Sequence, residues 1–232
     1  MNGFFNQSGV LKDFPGTAPL FPLPDLVLFP HALMPLHIFE TRYRQMISDV
    51  LKTNRLIVMA HLKAGHQELY HTKQASIYRT ACLGRVSAHQ ELPDGRFYLI
   101  FEGIVRVSVE EEIPGVEPYR VARLKLHRDR QRFPDHFDPR EHTRRLLDIC
   151  RNHLFQNSEL KTLMTILDSD VKLGTLCDVL SHACSLETEQ KQSLLEEFNI
   201  ERRYFRLMLC LEEYLQQKNL VPEPILPRFS NN

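Results

Sequence analysis

The sequence predicts an α+β protein, β-rich in its amino-terminal half and helical in its carboxy-terminal half. Three observations predict it. Short apolar runs with period-two alternation and turn residues dominate up to Leu126, helical periods dominate after Arg140, and a polar, charged stretch broken by prolines separates the two. With 232 residues, 43% of them hydrophobic and 25% charged, the chain is long and apolar enough to bury a core.

Six prolines, at positions 15, 19, 22, 24, 30 and 35, interleave with the apolar groups Leu20-Phe21-Pro22-Leu23 and Leu26-Val27-Leu28-Phe29. Proline lacks a donor for a central ladder, so short interrupted strands at sheet edges or rims are expected here. Phe39, Tyr43, Met46, Ile47 and Val50 recur at helical spacing and predict an amphipathic helix from about Glu40 to Lys52, with Glu40 favoured at its positive end and Lys52 at its negative end. Leu56 to Leu62 reads as a buried strand and Cys82 to Glu91 as another. Pro93-Asp94-Gly95 then supplies the positive φ angles of a tight turn, with Phe97 to Phe101 as the returning strand. Gly103 is expected to interrupt the next run, in which Ile104, Val105, Val107 and Val109 leave Arg106 and Ser108 on the opposite face. Tyr119 to Leu126 alternates again, giving an antiparallel sheet or open barrel.

Past the charged stretch, Leu146, Leu147, Cys150 and Leu154, and then Leu176, Val179, Leu180 and Ala183, share helical faces. Gly174 helps break the preceding segment, Thr175 is placed as an N-cap, and Asn199 as the cap of a last helix burying Ile200, Tyr204, Leu207, Met208, Leu211 and Leu215. The boundaries that follow are 1–127 for the β-rich part, 128–139 for a linker, 140–217 for a helical bundle and 218–232 for an extended tail.

Lys plus Arg and Asp plus Glu number 29 each, so no global field draws the chain to nucleic acid or to an anionic membrane. Neither a secretory leader nor a bilayer-spanning run is expected, which points to the cytoplasm. Cys82, Cys150, Cys177, Cys184 and Cys210 are scattered through apolar patterns, as reduced and buried thiols would be.

The stretch from Leu20 to Pro30, LFPLPDLVLFP, followed by Pro35-Leu36-His37-Ile38-Phe39-Glu40-Thr41-Arg42-Tyr43-Arg44, resembles the signature that opens the Lon protease N-terminal, substrate-binding domain. Leu83-Gly84, Leu92 to Arg96, Phe101-Glu102-Gly103 with Arg106, and Pro118 to Ala122 extend the likeness. Glu189 to Gln192, Leu194 to Glu196 and Arg202-Arg203 carry it into the closing helices, so that it covers roughly residues 18 to 217. The position after Glu40, commonly proline in that family, is Thr41 here, which a first helical turn tolerates.

The resemblance implies a PUA-like β pseudo-barrel followed by a helical bundle, working as a stand-alone, non-catalytic module that holds unfolded or extended polypeptide segments. A Lon-type protease acting in trans is a further implied partner. No phosphate loop of the Gly-x-x-x-x-Gly-Lys-Ser/Thr type occurs in the chain, and neither an ATPase nor a Ser-Lys peptidase domain is expected.

His37, Phe39, Glu40, Arg42 and Tyr43 are the candidate polypeptide-binding or signature residues, placed where a strand feeds a helix. A packing and loop-fixing role for Tyr43, Glu40 and Arg42 is the competing expectation. Edge strands left by the proline-rich entry are expected to accept a peptide by strand addition. His61, His66 and His71, with Glu68, match no metal-ligand template, and no metal or cofactor is expected. Cys177, His182 and Cys184 do not share a helical face and are expected to pack rather than react. Arg128, Arg130 and Arg132 in the linker, with Phe133 or Phe137 to stack on bases, form the alternative: RNA binding by a PUA-like fold, diluted by Asp129, Asp135, Asp138 and Glu141.

Overall fold

The computed structural model describes residues 14–154 and 171–217 together with residues 9, 11 and 12. The chain divides into two compact units, the first ending at Arg128 and the second beginning at Asp129. The proline-rich tail expected from residue 218 onward lies outside the described residues.

The first unit holds six strands: β1 (Thr17–Leu23), β2 (Leu33–Ile38), β3 (Leu56–His61), β4 (Thr80–Glu91), β5 (Phe97–Ile113) and β6 (Arg120–Leu126). Helix α1 (Thr41–Leu51) lies between β2 and β3 in sequence. The sheet runs β2-β5-β4-β3-β1-β6, and a further β5–β6 pairing closes β1, β3, β4, β5 and β6 into a ring with β2 appended outside it. All neighbours are antiparallel except β1 and β3. Ala18, Leu20, Leu56, Val58, Ala60, Leu83, Val107, Val109, Ala122 and Leu124 form one buried cluster, contributed by every strand of the ring. Each fully buried leucine or valine there is worth about 1.5–3 kcal/mol.

Three expectations are corrected. β1 is no edge strand: residues 17–20 pair with β6 and residues 20–23 with β3. Pro19 and Pro22 are tolerated because each falls in a half with one paired neighbour, leaving an unpaired side for a nitrogen that cannot donate. Gly103 does not interrupt β5 either. It lies within the strand, next to a register shift at Leu83/Gly84, and a Cβ there would stand 2.0 Å from the Phe29 carbonyl oxygen, so glycine admits a crossing backbone. Arg106 stands, as expected, on the face opposite Val105, Val107 and Val109, and it is buried there. Phe39 precedes α1 and is exposed; the buried face of the helix is Tyr43, Met46, Ile47 and Val50.

The second unit contains α2 (Pro139–Ile149), α3 (Leu173–Ala183), α4 (Thr188–Glu196) and α5 (Ile200–Gln217). Asp138 caps α2 by accepting from the Arg140 N–H at 2.9 Å, and Asn199 caps α5 by accepting from the Arg202 N–H at 3.0 Å. α5 packs chiefly on α3, α2 also meets α3, and α4 touches both α3 and α5. The six residues predicted for the apolar face of α5 are all buried. Helix α3 begins at Leu173, two residues before the expected cap Thr175, and takes Gly174 into its first turn. Arg203 is fully buried on α5. Its Nη1 donates to Asp129 Oδ1 at 3.0 Å and to the Glu197 carbonyl at 2.8 Å, its Nη2 pairs with Asp129 Oδ2, and its Nε lies 3.3 Å from Asp178 Oδ1. A Cβ on Gly174 would stand 3.1 Å from Asp129 Oδ2 and 3.2 Å from Arg203 Nη2, so the ion cluster crowds that position.

All five cysteines are free and buried, as expected. Burial pushes the Cys184 thiol up to about 12 and raises Cys150 and Cys210 as well. Their thiolates are therefore scarce near neutrality. Treatment of the native protein with iodoacetamide at pH 8 is expected to leave the five thiols unmodified, and all five should react in denaturant. Mass spectrometry reads the count, and rapid native labelling of Cys150 or Cys184 would contradict the burial.

Candidate functional site

The first unit carries an arm that extends past the ring. Strand β4 loses its β3 neighbour after Arg85, and Ser87 to Glu91 are all exposed. Strand β5 continues beside it with strict alternation, Phe97, Leu99 and Phe101 buried and Tyr98 and Ile100 exposed. On its other side β2 pairs His37 with Tyr98, Pro35 with Ile100 and Leu33 with Glu102. Directly opposed residues of antiparallel strands share a face. The outward face therefore gathers Leu33 (48% exposed), Pro35, His37, Tyr98 (50%) and Ile100 (38%), and Phe39 (61%) adjoins it. The His37 ring stacks on Tyr98 with centroids 4.7 Å apart and approaches Phe39 at 5.9 Å. Clustered large apolar side chains in solvent mark contact surfaces, whereas single ones do not.

The backbone of the arm is also partly unpaired. The Leu92 N–H donates to the Arg96 carbonyl and the Gly103 N–H to the Ala32 carbonyl. By the alternation of an antiparallel ladder, the main-chain groups of His89 and Glu91 on β4, and of Leu33, Pro35 and His37 on β2, then point away from β5. Pro35 withholds the middle donor of the β2 edge, while the β4 edge has no proline. Among the described residues the free edges are thus β2 and the outer half of β4, and β1 is not among them.

The rest of the signature forms a lock. Glu40 precedes α1 without capping it. Its carboxylate accepts instead from the Tyr70 hydroxyl at 2.7 Å and from Arg42 Nε at 3.1 Å, while Arg42 Nη2 donates to the Tyr70 carbonyl at 3.0 Å. The Arg42 guanidinium lies 4.4 Å from the Tyr43 ring centroid and 4.9 Å from that of Tyr70. Burial, and then the bond to Glu40, hold the Tyr70 phenol well above its ordinary value. Tyr43 is buried with its ring 4.3 Å from Phe21. Of the five residues singled out in the sequence, the structure places His37 and Phe39 on the outward face, Glu40 and Arg42 in the lock and Tyr43 in the core. Leu33, Tyr98, Ile100 and Tyr70 were missed. The Phe97 to Phe101 alternation held the signal for Tyr98 and Ile100; nothing local marked Tyr70.

His61 is buried in β3 with its ring stacked on Tyr78, His66 accepts from the Ser76 N–H, and His71 meets the edge of Tyr70. Among the described residues no group of three metal-ligating side chains comes together. In the second unit the stacking pair proposed for RNA is otherwise engaged. Phe137 is buried against His142 (4.1 Å), Tyr204 (6.0 Å) and Phe205 (5.9 Å), and Phe133 lies flat on it at 5.2 Å. Arg128, Arg130 and Arg132 are exposed, but the Arg130 main chain is tied to α5 through the Phe198 carbonyl and the Ile200 N–H.

Among the described residues no helix is long and apolar enough to cross a membrane. Among solved structures, the Lon N-terminal domain protein of Xanthomonas campestris superposes with a TM-score of 0.60 at 22% identity, covering 83% of this chain and 97% of that one. The N-terminal domain of the Mycobacterium avium complex Lon protease gives 0.64 at 14% identity, covering 86% and 100%. These likenesses establish the fold: the α+β fold of Lon N-terminal domains, a six-stranded sheet followed by helices. Among curated proteins, the Lon protease of Desulfosudis oleivorans is 24% identical over 222 residues, 91% of this chain and 26% of its own length. That of Koribacter versatilis is 26% identical over 214 residues, 88% of this chain and 25% of its own length. The chain thus spans about a quarter of the length of these relatives. The family described as the ATP-dependent protease La (LON) substrate-binding domain matches residues 17–213. The chain belongs to the Lon substrate-binding domain family.

Proposed function

We propose that this chain is a non-catalytic, cytoplasmic polypeptide-binding module that holds unfolded or extended segments on the outward face of β2 and β5. In this reading it serves as an adaptor or recognition factor in protein quality control, with a Lon-type protease in trans as a partner. The observation that carries the reading is the clustering of Leu33, Phe39, Tyr98 and Ile100 in solvent around His37. Family membership supports it, because the matched family is a substrate-binding domain. An extended segment lying on this face would bury alternate side chains against the aromatic rings. Chain that runs off this face into the plane of the sheet meets free main-chain groups at His89 and Glu91 on the β4 edge, and Pro35 makes the β2 edge the poorer acceptor.

The test is the affinity of the full chain for a fluorescein-labelled, permanently unfolded polypeptide, read by anisotropy. Replacing both Phe39 and Tyr98 by serine is expected to weaken binding by at least about tenfold, as loss of aromatic anchors does elsewhere. Circular dichroism should be unchanged, since both side chains are exposed. Undiminished affinity in the double variant would sink the assignment. For the RNA alternative, neutralising Arg128, Arg130 and Arg132 should abolish a steeply salt-dependent interaction with single-stranded RNA. The packing of Phe133 and Phe137 argues against it.

A further inference from the structure

We infer that Arg44 is the positioning residue of the arm, an inference that rests on the outward face being the binding surface. Among the described residues the outer half of β4 has no neighbour except β5, and nothing in the ring's pairing fixes the far end of the hairpin. Arg44 does so from α1. Its Nε donates to the Gly95 carbonyl at 2.6 Å, across 51 residues of sequence. Its guanidinium also covers the turn: a Cβ on Gly95 would stand 2.0 Å from Arg44 Nη2 and 3.0 Å from Cζ. Gly95 has φ 79° and donates its N–H to the Leu92 carbonyl, so the turn is closed internally and presents its outer carbonyl to the arginine.

Tyr98 leaves this turn after Phe97 and meets His37 across the ladder. The aromatic pair is therefore held from two sides, by the β2–β5 register and by the Arg44 clamp on the tip. His37 and Arg44 are seven positions apart in one segment, so the signature both supplies part of the face and fixes the hairpin opposite it. Holding the rings in their bound arrangement before a segment arrives removes an ordering cost from binding.

The experiment uses the full chain and the same labelled unfolded polypeptide, with Arg44→Ala, Arg44→Lys and Tyr98→Ser compared. Amide exchange at Leu92, Gly95 and Val58 is read alongside affinity. Arg44→Ala is expected to speed exchange at Leu92 and Gly95 and to weaken binding by about tenfold, the scale of one side chain's ordering cost. Val58, inside the ring, should exchange at its normal rate, and lysine should restore part of the affinity by donating to the same carbonyl. If Tyr98→Ser weakens binding while Arg44→Ala leaves affinity unchanged, the role given to Arg44 is overturned and the binding face stands. That holds even if the turn amides exchange faster, since the clamp is then structural only. If Tyr98→Ser binds normally, the face itself is wrong and the inference falls with it.

Discussion

Replacement of Arg203 by alanine is expected to destabilise the protein by about 3–5 kcal/mol, the cost of removing one partner from a buried ion cluster. The arginine is fully buried and answers two carboxylates, Asp129 and Asp178, of which Asp178 is itself buried. Without the guanidinium both carboxylates lose its positive charge, and the Glu197 carbonyl loses a donor. Urea denaturation followed by circular dichroism measures the loss as a lower midpoint. Combining Arg203→Met with Asp129→Asn and Asp178→Asn should recover much of it, because removing a whole buried ion cluster is often close to neutral where breaking it is not. A loss below about 1 kcal/mol in the alanine variant, the size of an exposed pair, would contradict the burial.

Gly103→Ala is expected to cost about 3 kcal/mol, the upper end for overpacking. The new Cβ would meet backbone, the Phe29 carbonyl oxygen at 2.0 Å and its carbon at 2.8 Å, and no rotamer change relieves that contact. The segment following Phe29 is also tied to Gly103 itself, by the His31 N–H to the Gly103 carbonyl and the Gly103 N–H to the Ala32 carbonyl. Pushing it away breaks both bonds and disturbs the start of β2, so affinity for unfolded polypeptide should fall along with stability. Gly16→Ala is the control. Gly16 has φ 81° with open space around it, so its substitution brings only the left-handed backbone penalty, about 1–2 kcal/mol. Equal effects at the two sites would mean that the contact with Phe29 is relieved more easily than this geometry allows.

Much of the β half was legible because its signals are local. The turn at Gly95, the wholly buried β3 and the Tyr43, Met46, Ile47 and Val50 face of α1 each rest on residues within one element, though of the Asp94-Gly95 pair only Gly95 takes a positive φ. What was not legible depends on distant partners. Two prolines argued for an edge, and nothing within residues 17–23 tells that β6 takes one half of the strand and β3 the other. Gly103 looked like a break because the carbonyl that demands it belongs to Phe29, and Gly174 because its neighbours belong to Asp129 and Arg203. At the candidate site, His37 and Phe39 were reached through a contiguous signature. Leu33, Tyr98 and Ile100 join them only through cross-strand register, and Tyr70 reaches Glu40 across 30 residues. Phe133 and Phe137 misled for a related reason: an aromatic in a charged stretch reads as available for stacking until the helix that covers it is known.

The divided pairing of β1 bears on how the first unit comes into being. Thr17 lies against Arg123, so the first strand of the ring is also the one that seals it against the last. Such a ring stays open on the ribosome until β6 has emerged, and a vectorially growing chain holds β1 with at most its β3 half satisfied in the meantime. Closure then demands contacts separated by about a hundred residues, which places this unit among slow, high-contact-order folders, on the millisecond-to-second scale. During that interval the Ala18 and Leu20 surface is exposed, so the nascent module itself presents the kind of extended apolar segment that its finished face is proposed to hold.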